Sequence, residues 1–124
     1  MNTFNITRQQ TYAKWLEALR SGKYEQGAGG LKKGLSPKYC CLGVFCELAT
    51  EFSSLKWEGI NSGGYYSIDY SSTGLSPDSL SFLGITDQQQ ALLIELNDEQ
   101  ELSFKDIADY IEQKIMPEAL KSTE

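Results

Sequence analysis

Apolar side chains recur at helical spacing near the start of the chain. Four of them follow the i, i+3, i+4, i+7 pattern of a single helical face: Tyr12, Trp15, Leu16 and Leu19. Thr7 is a suitable N-cap and Gly22 a suitable stop, so the pattern predicts an N-terminal helix between them. We expect Trp15 to anchor the core. Residues 1–6 are expected to form a short arm.

A second apolar run, from Cys41 to Phe52, covers almost the full circumference of a helix. A helix that is apolar all round belongs in the interior, so this run predicts a buried central helix. Between the two helices, the short pieces Tyr24–Leu31 and Lys38–Cys41 flank the turn sequence KKGLSP. This arrangement predicts a small β-hairpin or a pair of irregular strands.

The period changes again after the central helix. The stretch GINSGGYYSIDYSSTG alternates tyrosine and isoleucine with serine and glycine, and it predicts one hairpin or two short strands with an exposed loop. Its three tyrosines would suit either a binding platform or an ordinary strand surface. We expect Trp57, which precedes this stretch, to close the core.

Three N-cap sequences predict the helices of the C-terminal half. Ser76 precedes a proline and an acid, and Ser103 precedes an apolar helical face. Thr86 forms a capping box with Gln89. Pro117 is expected to stop the last helix, since proline interrupts the helical hydrogen bonds. The predicted spans are Asp78–Leu83, Asp87–Leu96 and Phe104–Met116.

Together these elements predict an α+β fold in a single small domain over residues 1–124. Its parts are an N-terminal helix, a short β-hairpin, a buried central helix, an irregular β middle and, after one brief helix, two C-terminal helices. A length of 124 residues and a hydrophobic fraction of 40% suit one core. The net charge of −6 disfavours long nucleic acid, because phosphate neutralisation needs a broad basic surface. No apolar run approaches the ~20 residues of a membrane span, so we expect no membrane contact.

Cysteine and histidine usage narrows the chemistry. Cys40, Cys41 and Cys46 are odd in number and crowded together, and the chain has no histidine. Neither a disulfide framework nor a zinc site fits this pattern, so we expect free thiols, a reducing compartment, and neither metal nor cofactor. The missing histidine removes the usual general base near neutral pH, which disfavours an enzyme. The N-terminus MNTFNITRQQ lacks the apolar run of a signal peptide.

The segment from Arg20 to Leu48 concentrates positive charge. Five of the eleven basic residues lie between positions 20 and 38: Arg20, Lys23, Lys32, Lys33 and Lys38. Five glycines lie between the same two positions, and Tyr24 and Tyr39 flank most of them. Cations, accessible backbone amides and aromatic faces suit a small phosphorylated ligand such as a nucleotide. A glycine-rich turn with solvated lysines, which needs no ligand, is the competing interpretation.

The C-terminal part carries the opposite charge. The stretch from Asp87 to Glu112 contains eight acids and one basic residue, Lys105. The spacing of these acids lacks the glycine-centred loop of a calcium site. A solvated surface is therefore the favoured interpretation, ahead of a divalent cation.

Two stretches of the chain resemble a family of small proteins from tailed-phage genomes. The first is WLEALRSGKYEQGAGGL followed by KYCCLGVFCELA. It matches a tryptophan-led helix ending LRSG, then Y-x-Q-G, then CCLGV-x-C-x-L. The second is LIELNDEQELSFKDIADYIE, which is similar to the family's C-terminal piece. The resemblance covers most of the chain outside residues 51–76, and the glycine-rich AGGLKK departs from the shared pattern.

This resemblance implies a phage protein that acts in the host cytoplasm. Some small phage proteins of this type act as sponges, which bind the cyclic oligonucleotide or cyclic ADP-ribose signals of the bacterial immune systems CBASS and Thoeris without cleaving them. The matched motifs imply ligand-binding residues at Arg20, Lys23, Tyr24, Gln26, Tyr39, Cys40, Cys41 and Asn97. The chemistry of the neighbouring Lys38 adds it to this set.

The sequence therefore predicts a non-enzymatic protein that sequesters a nucleotide-derived immune signal. A homodimer or higher oligomer is expected, because one small domain rarely encloses a ligand of dinucleotide size. Two alternatives stay open: an acidic inhibitor of a host protein, and an enzyme with Cys40 or Cys41 as nucleophile. The expected roles are phosphate neutralisation by Arg20, Lys23 and Lys38, base stacking by Tyr24 or Tyr39, and base-edge pairing by Gln26 or Asn97.

Overall fold

Two helices in contact form the centre of the fold. In the computed structural model, which describes residues 3–121, helix α1 spans Arg8–Arg20 and a second helix spans Cys41–Phe52. Both helices confirm the spans predicted from the apolar pattern. The indole N–H of Trp15 donates to the carbonyl oxygen of Cys41 at 2.9 Å, and Trp15 is fully buried. Trp15 therefore anchors the first helix to the second, as predicted.

The start of the central helix depends on a cysteine cap and a glycine. Cys40 is the N-cap, and its Sγ accepts a hydrogen bond from the amide of Gly43 at 3.4 Å. A Cβ at Gly43 would overlap the carbonyl oxygen of Leu31, so only glycine lets the helix approach that backbone so closely. The predicted free thiols are confirmed for Cys40, Cys41 and Cys46. The CCLG motif therefore has a structural role in this fold.

Four strands of the described residues form an antiparallel sheet beside the central helix: β1 Lys32–Lys33, β2 Lys38–Tyr39, β3 Trp57–Ile60 and β4 Tyr65–Ile68. Their order in the sheet is β2-β1-β4-β3, and the central helix, which lies between β2 and β3 in the chain, is α2. Lys32 of β1 lies opposite Tyr39 on one side and opposite Tyr66 on the other. Strands β3 and β4 form the hairpin predicted for the middle of the chain. Tyr70 lies outside β4 and is exposed.

The first hairpin lies further along the chain than the pattern predicts. We expected a strand within Tyr24–Leu31, but this segment is largely a loop, and the two lysines of the predicted turn form β1. The glycines explain the difference. Gly29 has a φ of 89°, and a Cβ at Gly30 would overlap the ring of Tyr65, so the loop passes directly over that ring. A regular strand with side chains on both faces would not fit there.

Helices occupy most of the C-terminal half. They are α3 Pro77–Leu83, α4 Asp87–Asp98, α5 Phe104–Tyr110 and α6 Met116–Lys121, with a π-helical turn over Ile111–Ile115. The predicted N-caps of the first three accept the expected backbone hydrogen bonds: Ser76, Thr86 and Ser103. Pro117 does not stop the last helix, contrary to the prediction. The amide of Met116 donates to Ile111, five residues back, and this wider turn accommodates the proline that follows.

The helices and the sheet share one hydrophobic core, and the predicted α+β fold is confirmed. Trp57 packs against the edge of this core and is half-buried. In the predicted N-terminal arm, Phe4 stacks on Phe82 with ring centroids 4.0 Å apart, and residues 1 and 2 lie outside the described residues. None of the helices in the described part of the chain combines the length and the apolar character needed to cross a membrane.

Candidate functional site

Two of the residues predicted to bind phosphate, Arg20 and Lys38, form ion pairs within the protein. Arg20, at the end of α1, donates to Asp109 at 2.7 Å and to Glu112 at 2.8 Å. These hydrogen bonds raise the pKa of the Arg20 guanidinium. Lys38 lies 3.6 Å from the carboxylate of Glu25. Arg20 therefore ties the end of α1 to the C-terminal helices, and Lys38 of β2 lies beside an acid from the segment between α1 and β1.

Lys32 occupies a box of aromatic rings on one face of the sheet. Its ammonium lies 5.1 Å from the ring centroids of Trp57 and Tyr66, and 5.7 Å from that of Tyr39. Glu47 of α2 closes the box, with one carboxylate oxygen 3.1 Å from Lys32 Nζ. The same oxygen accepts hydrogen bonds from the Trp57 indole at 3.0 Å and the Tyr39 hydroxyl at 3.1 Å. These contacts hold β1, β2 and β3 on α2.

Tyr39 is consequently part of the framework and not an exposed stacking ring. Its exposed fraction is 8%. Burial, followed by the charge of Glu47 and the hydrogen bond to it, raises the pKa of the Tyr39 phenol above its ordinary value. Base stacking on Tyr39 would require the box around Lys32 to open.

Two backbone amides of the glycine-rich loop, residues 27–30, donate hydrogen bonds to other parts of the protein. The amide of Gly29 donates to Asp98 Oδ2 at 3.1 Å, and the amide of Gly27 donates to the carbonyl oxygen of Tyr39 at 2.8 Å. The amide of Gly29, which the sequence pattern predicts to be available to a phosphate, is therefore hydrogen-bonded to the carboxylate of Asp98. This arrangement supports the interpretation in which the glycine-rich turn needs no ligand.

Gln26 and Asn97, the two predicted base-edge ligands, meet each other. Gln26 Nε2 donates to Asn97 Oδ1 at 2.9 Å, and Asn97 Nδ2 donates to the carbonyl oxygen of Gly27 at 2.8 Å. Both line a small pocket of about 300 Å³ together with Asp98 and Glu101. Two carboxylates, with no cation among the described residues that line this pocket, disfavour a phosphate. Asn97 is buried, so its amide mainly joins α4 to the glycine-rich loop.

Cys40 and Cys41 are core residues, which corrects their predicted place in a ligand site. Their exposed fractions are 4% and 0%. Burial raises the pKa of the Cys40 thiol to about 11, and it raises the pKa of the Cys41 thiol well above 9.0. A protonated, buried thiol is a poor nucleophile, so this arrangement argues against the cysteine-nucleophile alternative.

An open groove of about 370 Å³ lies between the end of α1 and the last turns of α2. Four apolar side chains line it: Ile6, Ala18, Leu48 and Phe52. Four exposed charged side chains stand around these: Lys14, Glu17, Lys23 and Glu51. None of the four makes an ion pair within residues 3–121. Tyr24 and Ser21 complete the lining.

A family model for a domain of unknown function, DUF8296, matches residues 7–82, which is more than half of the chain. The chain belongs to the DUF8296 family. No curated protein and no solved structure matches it. The DUF8296 segment begins at the N-cap of α1 and ends in α3, so it contains the whole groove lining except Ile6.

Within the DUF8296 segment, the groove brings together two of the predicted ligand residues, Lys23 and Tyr24. The Tyr24 ring packs edge-on against Tyr39, with centroids 5.4 Å apart and an interplanar angle of 85°. Burial, followed by the charges of Glu47 and Glu51, raises the pKa of the Tyr24 phenol. Tyr24 is therefore a half-buried ring held by the framework beside an accessible groove.

Three charged groove residues of the DUF8296 segment were missed by the sequence reasoning: Lys14, Glu17 and Glu51. A sequence signal was present for Glu51. Glu47 and Glu51 are four residues apart in an otherwise apolar helix, so they mark one face of α2 as polar. Within the residues that the structure describes, no group of three or more acidic or cysteine side chains is arranged to hold a metal ion.

Proposed function

We propose that this protein binds a small phosphorylated ligand in the groove between α1 and α2, and holds it without cleaving it. The ligand class is a nucleotide-derived immune signal, of cyclic oligonucleotide or cyclic ADP-ribose type. The protein would then be a phage anti-defence protein that acts in the host cytoplasm. One observation carries the proposal: two lysines with no ion-pair partner among residues 3–121, a half-buried tyrosine and an apolar lining meet at a single groove.

Each part of the groove suits one part of such a ligand. Lys14 and Lys23 are exposed and have no ion-pair partner in the described chain, so they are available to a phosphate. Tyr24 offers an aromatic surface on which a base can stack. Phe52 and Leu48 add apolar area to the same lining. Arg20 and Lys38, which already face carboxylates, have no part in this proposal.

Sequestration fits the rest of the chemistry better than catalysis does. The chain has no histidine, and the pKa values of its buried thiols are raised. The Ser21 hydroxyl of the groove donates to the carbonyl oxygen of Ala18 at 2.7 Å and not to a carboxylate, so it is not activated by a base. Holding a signal molecule requires affinity alone.

Isothermal titration calorimetry with cyclic di-GMP, cyclic di-AMP and cyclic ADP-ribose tests the proposal. We expect saturable heat with at least one of them. Lys23→Ala should weaken that binding about tenfold, because it removes a charged hydrogen-bond donor worth roughly 1.5–3 kcal/mol in such contacts. Lys105→Ala removes an exposed lysine on α5 and should leave the affinity unchanged.

Two further results bear on the same proposal. Mass spectrometry after heat denaturation should recover the bound molecule with its mass unchanged, whereas recovery of a hydrolysed product would identify an enzyme. Absence of heat with all three ligands at millimolar concentration would contradict the proposed function.

A second copy of the chain would complete the enclosure of the ligand. The groove volume of about 370 Å³ lies near the lower end of small-molecule sites, which span roughly 300–1,000 Å³. A ligand of dinucleotide size would project beyond it. We therefore expect a homodimer or higher homo-oligomer, which sedimentation with and without ligand would detect.

The acidic face supports a second candidate function, the inhibition of a host protein with a basic surface. Six carboxylates from the end of α4 to the π-helical turn are exposed: Glu95, Glu99, Glu101, Asp106, Asp109 and Glu112. Such a face would attract a cationic surface in a salt-dependent way. A pull-down of one host protein that is lost at high salt, together with no nucleotide binding, would favour this function.

A further inference from the structure

The groove carries negative charge as well as positive charge. Glu17 and Glu51 line it together with Lys14 and Lys23, and all four side chains are exposed. A site that bound phosphate alone would be weakened by two carboxylates nearby. A carboxylate accepts hydrogen bonds and donates none when it is ionised. The ligand should therefore bring hydrogen-bond donors as well as a phosphate.

We infer that the groove selects a guanine base, with Glu51 accepting hydrogen bonds from its donor edge. The inference rests on the proposed function and adds the identity of the base. In this arrangement Lys14 and Lys23 bind the phosphate, and the carboxylate of Glu51 determines which base is bound.

The position of Glu51 supports this role in base selection. Glu51 lies in the last turn of α2, one residue before Phe52, and lines the groove with Tyr24. Its charge contributes to the raised pKa of the Tyr24 phenol, after burial and the charge of Glu47. A base stacked on the Tyr24 ring would lie in the groove that Glu51 also lines.

The chemistry of the bases distinguishes guanine from the others. Guanine presents two adjacent donors, N1–H and the exocyclic amine, which match the two oxygens of one carboxylate. Adenine presents one amine beside the N1 acceptor, and that acceptor would face a carboxylate lone pair. Uracil presents a single N–H between two carbonyl oxygens. A bidentate contact of this kind discriminates between bases by a factor of roughly 5 to 150.

Affinities for four ligands test this selection: cyclic di-GMP, cyclic di-IMP, cyclic di-AMP and cyclic di-UMP. Cyclic di-IMP matches cyclic di-GMP except that it lacks the exocyclic amines. We expect cyclic di-GMP to bind at least about fivefold more tightly than cyclic di-UMP, with cyclic di-IMP between them. Glu51→Gln should reduce the preference for guanine over adenine about tenfold, because its amide offers one donor and one acceptor.

Glu99→Gln is the matched control, since it neutralises an exposed carboxylate outside the groove. It should leave every affinity ratio unchanged. Equal affinities for all four ligands, tighter binding of adenine or uracil, or an unchanged guanine preference in Glu51→Gln would overturn the inference while the proposed function stands. Binding of none of these ligands, nor of cyclic ADP-ribose, would overturn both. The comparison of cyclic di-GMP with cyclic di-IMP uses the wild-type protein and needs no variant to fold.

Discussion

At the scale of single residues, Gly43 sets the distance between α2 and the loop before β1. Gly43→Ala should lower the free energy of unfolding by ~3 kcal/mol or more, because the new Cβ would overlap the carbonyl oxygen of Leu31. Urea unfolding followed by circular dichroism measures this change. Gly59→Ala is the control, since a Cβ there meets nothing within 4 Å, and its effect should stay within ~0.5 kcal/mol. Equal effects of the two substitutions would contradict this account.

The sequence could indicate the importance of these residues but not their function. The motif CCLGV stands out in the sequence, and the resemblance to phage proteins suggested a ligand site there. In the structure, Cys40 caps a helix, Cys41 lies in the core and Gly43 permits a close backbone contact. Structural and ligand-binding requirements produce similar motifs, because both demand particular residue types at fixed spacing.

At the scale of elements, the N-cap of α4 makes a measurable contribution. Thr86 accepts a hydrogen bond from the amide of Gln89 at 3.1 Å, and the Gln89 side chain accepts one from the Thr86 amide at 2.9 Å. Thr86→Ala should therefore lower the free energy of unfolding by ~1 kcal/mol. Thr73→Ala replaces an exposed turn threonine and should have little effect. Thermal and urea unfolding of both variants would reveal equal losses if the capping box contributed nothing.

Helices were predictable from local signals, whereas strand positions were not. The apolar faces and N-caps of α1, α2, α3 and α4 lie within single short stretches of sequence. Strand β1 consists of two lysines, and it exists because Tyr39 and Tyr66 lie on either side of it. Such pairing is a tertiary effect. Pro117 was likewise misjudged from local sequence. Proline interrupts an ordinary α-helix, but the π-helical turn before Pro117 lets the helix continue through it.

At the scale of the whole molecule, the buried thiols make stability depend on pH. The pKa of Cys40 is raised by burial from 9.0 to about 11, and the pKa values of Cys41 and Cys46 are raised well above 9.0. Above pH 9 the unfolded chain loses thiol protons that the folded protein keeps. The free energy of unfolding should therefore fall as the pH rises from about 9 to about 11, by up to ~1.4 kcal/mol per pH unit for each thiol.

Urea unfolding under reducing conditions at a series of pH values would measure this dependence. Cys40→Ser replaces the sulfur acceptor of the Gly43 amide with a hydroxyl oxygen and removes one titrating group, so the stability of the variant should fall less steeply above pH 9. A free energy of unfolding that stays constant from pH 8 to 10.5 would contradict the role of the thiols. Below pH 9 their contribution should be complete.

The candidate site also belongs to this largest scale. Sequence spacing placed Lys23 and Tyr24 in one region because they are neighbours in the chain, and both line the groove. It could not place Lys14 or Glu51 beside them, since the contact between α1 and α2 determines that arrangement. Nor could sequence spacing show that Arg20 would form ion pairs with Asp109 and Glu112, which lie 89 and 92 residues away in the chain. Which charges remain unpaired is a property of the folded chain alone.

The contrast between the two tryptophans provides a pair of optical probes. Trp15 is completely buried, so a small aqueous quencher such as iodide should scarcely reach it in the native protein. Trp57 is half-buried, with an ammonium 5.1 Å from its ring, so its emission should be accessible to iodide and sensitive to any loosening of the sheet. Emission spectra recorded with and without quencher can thus distinguish local opening of the sheet from global unfolding.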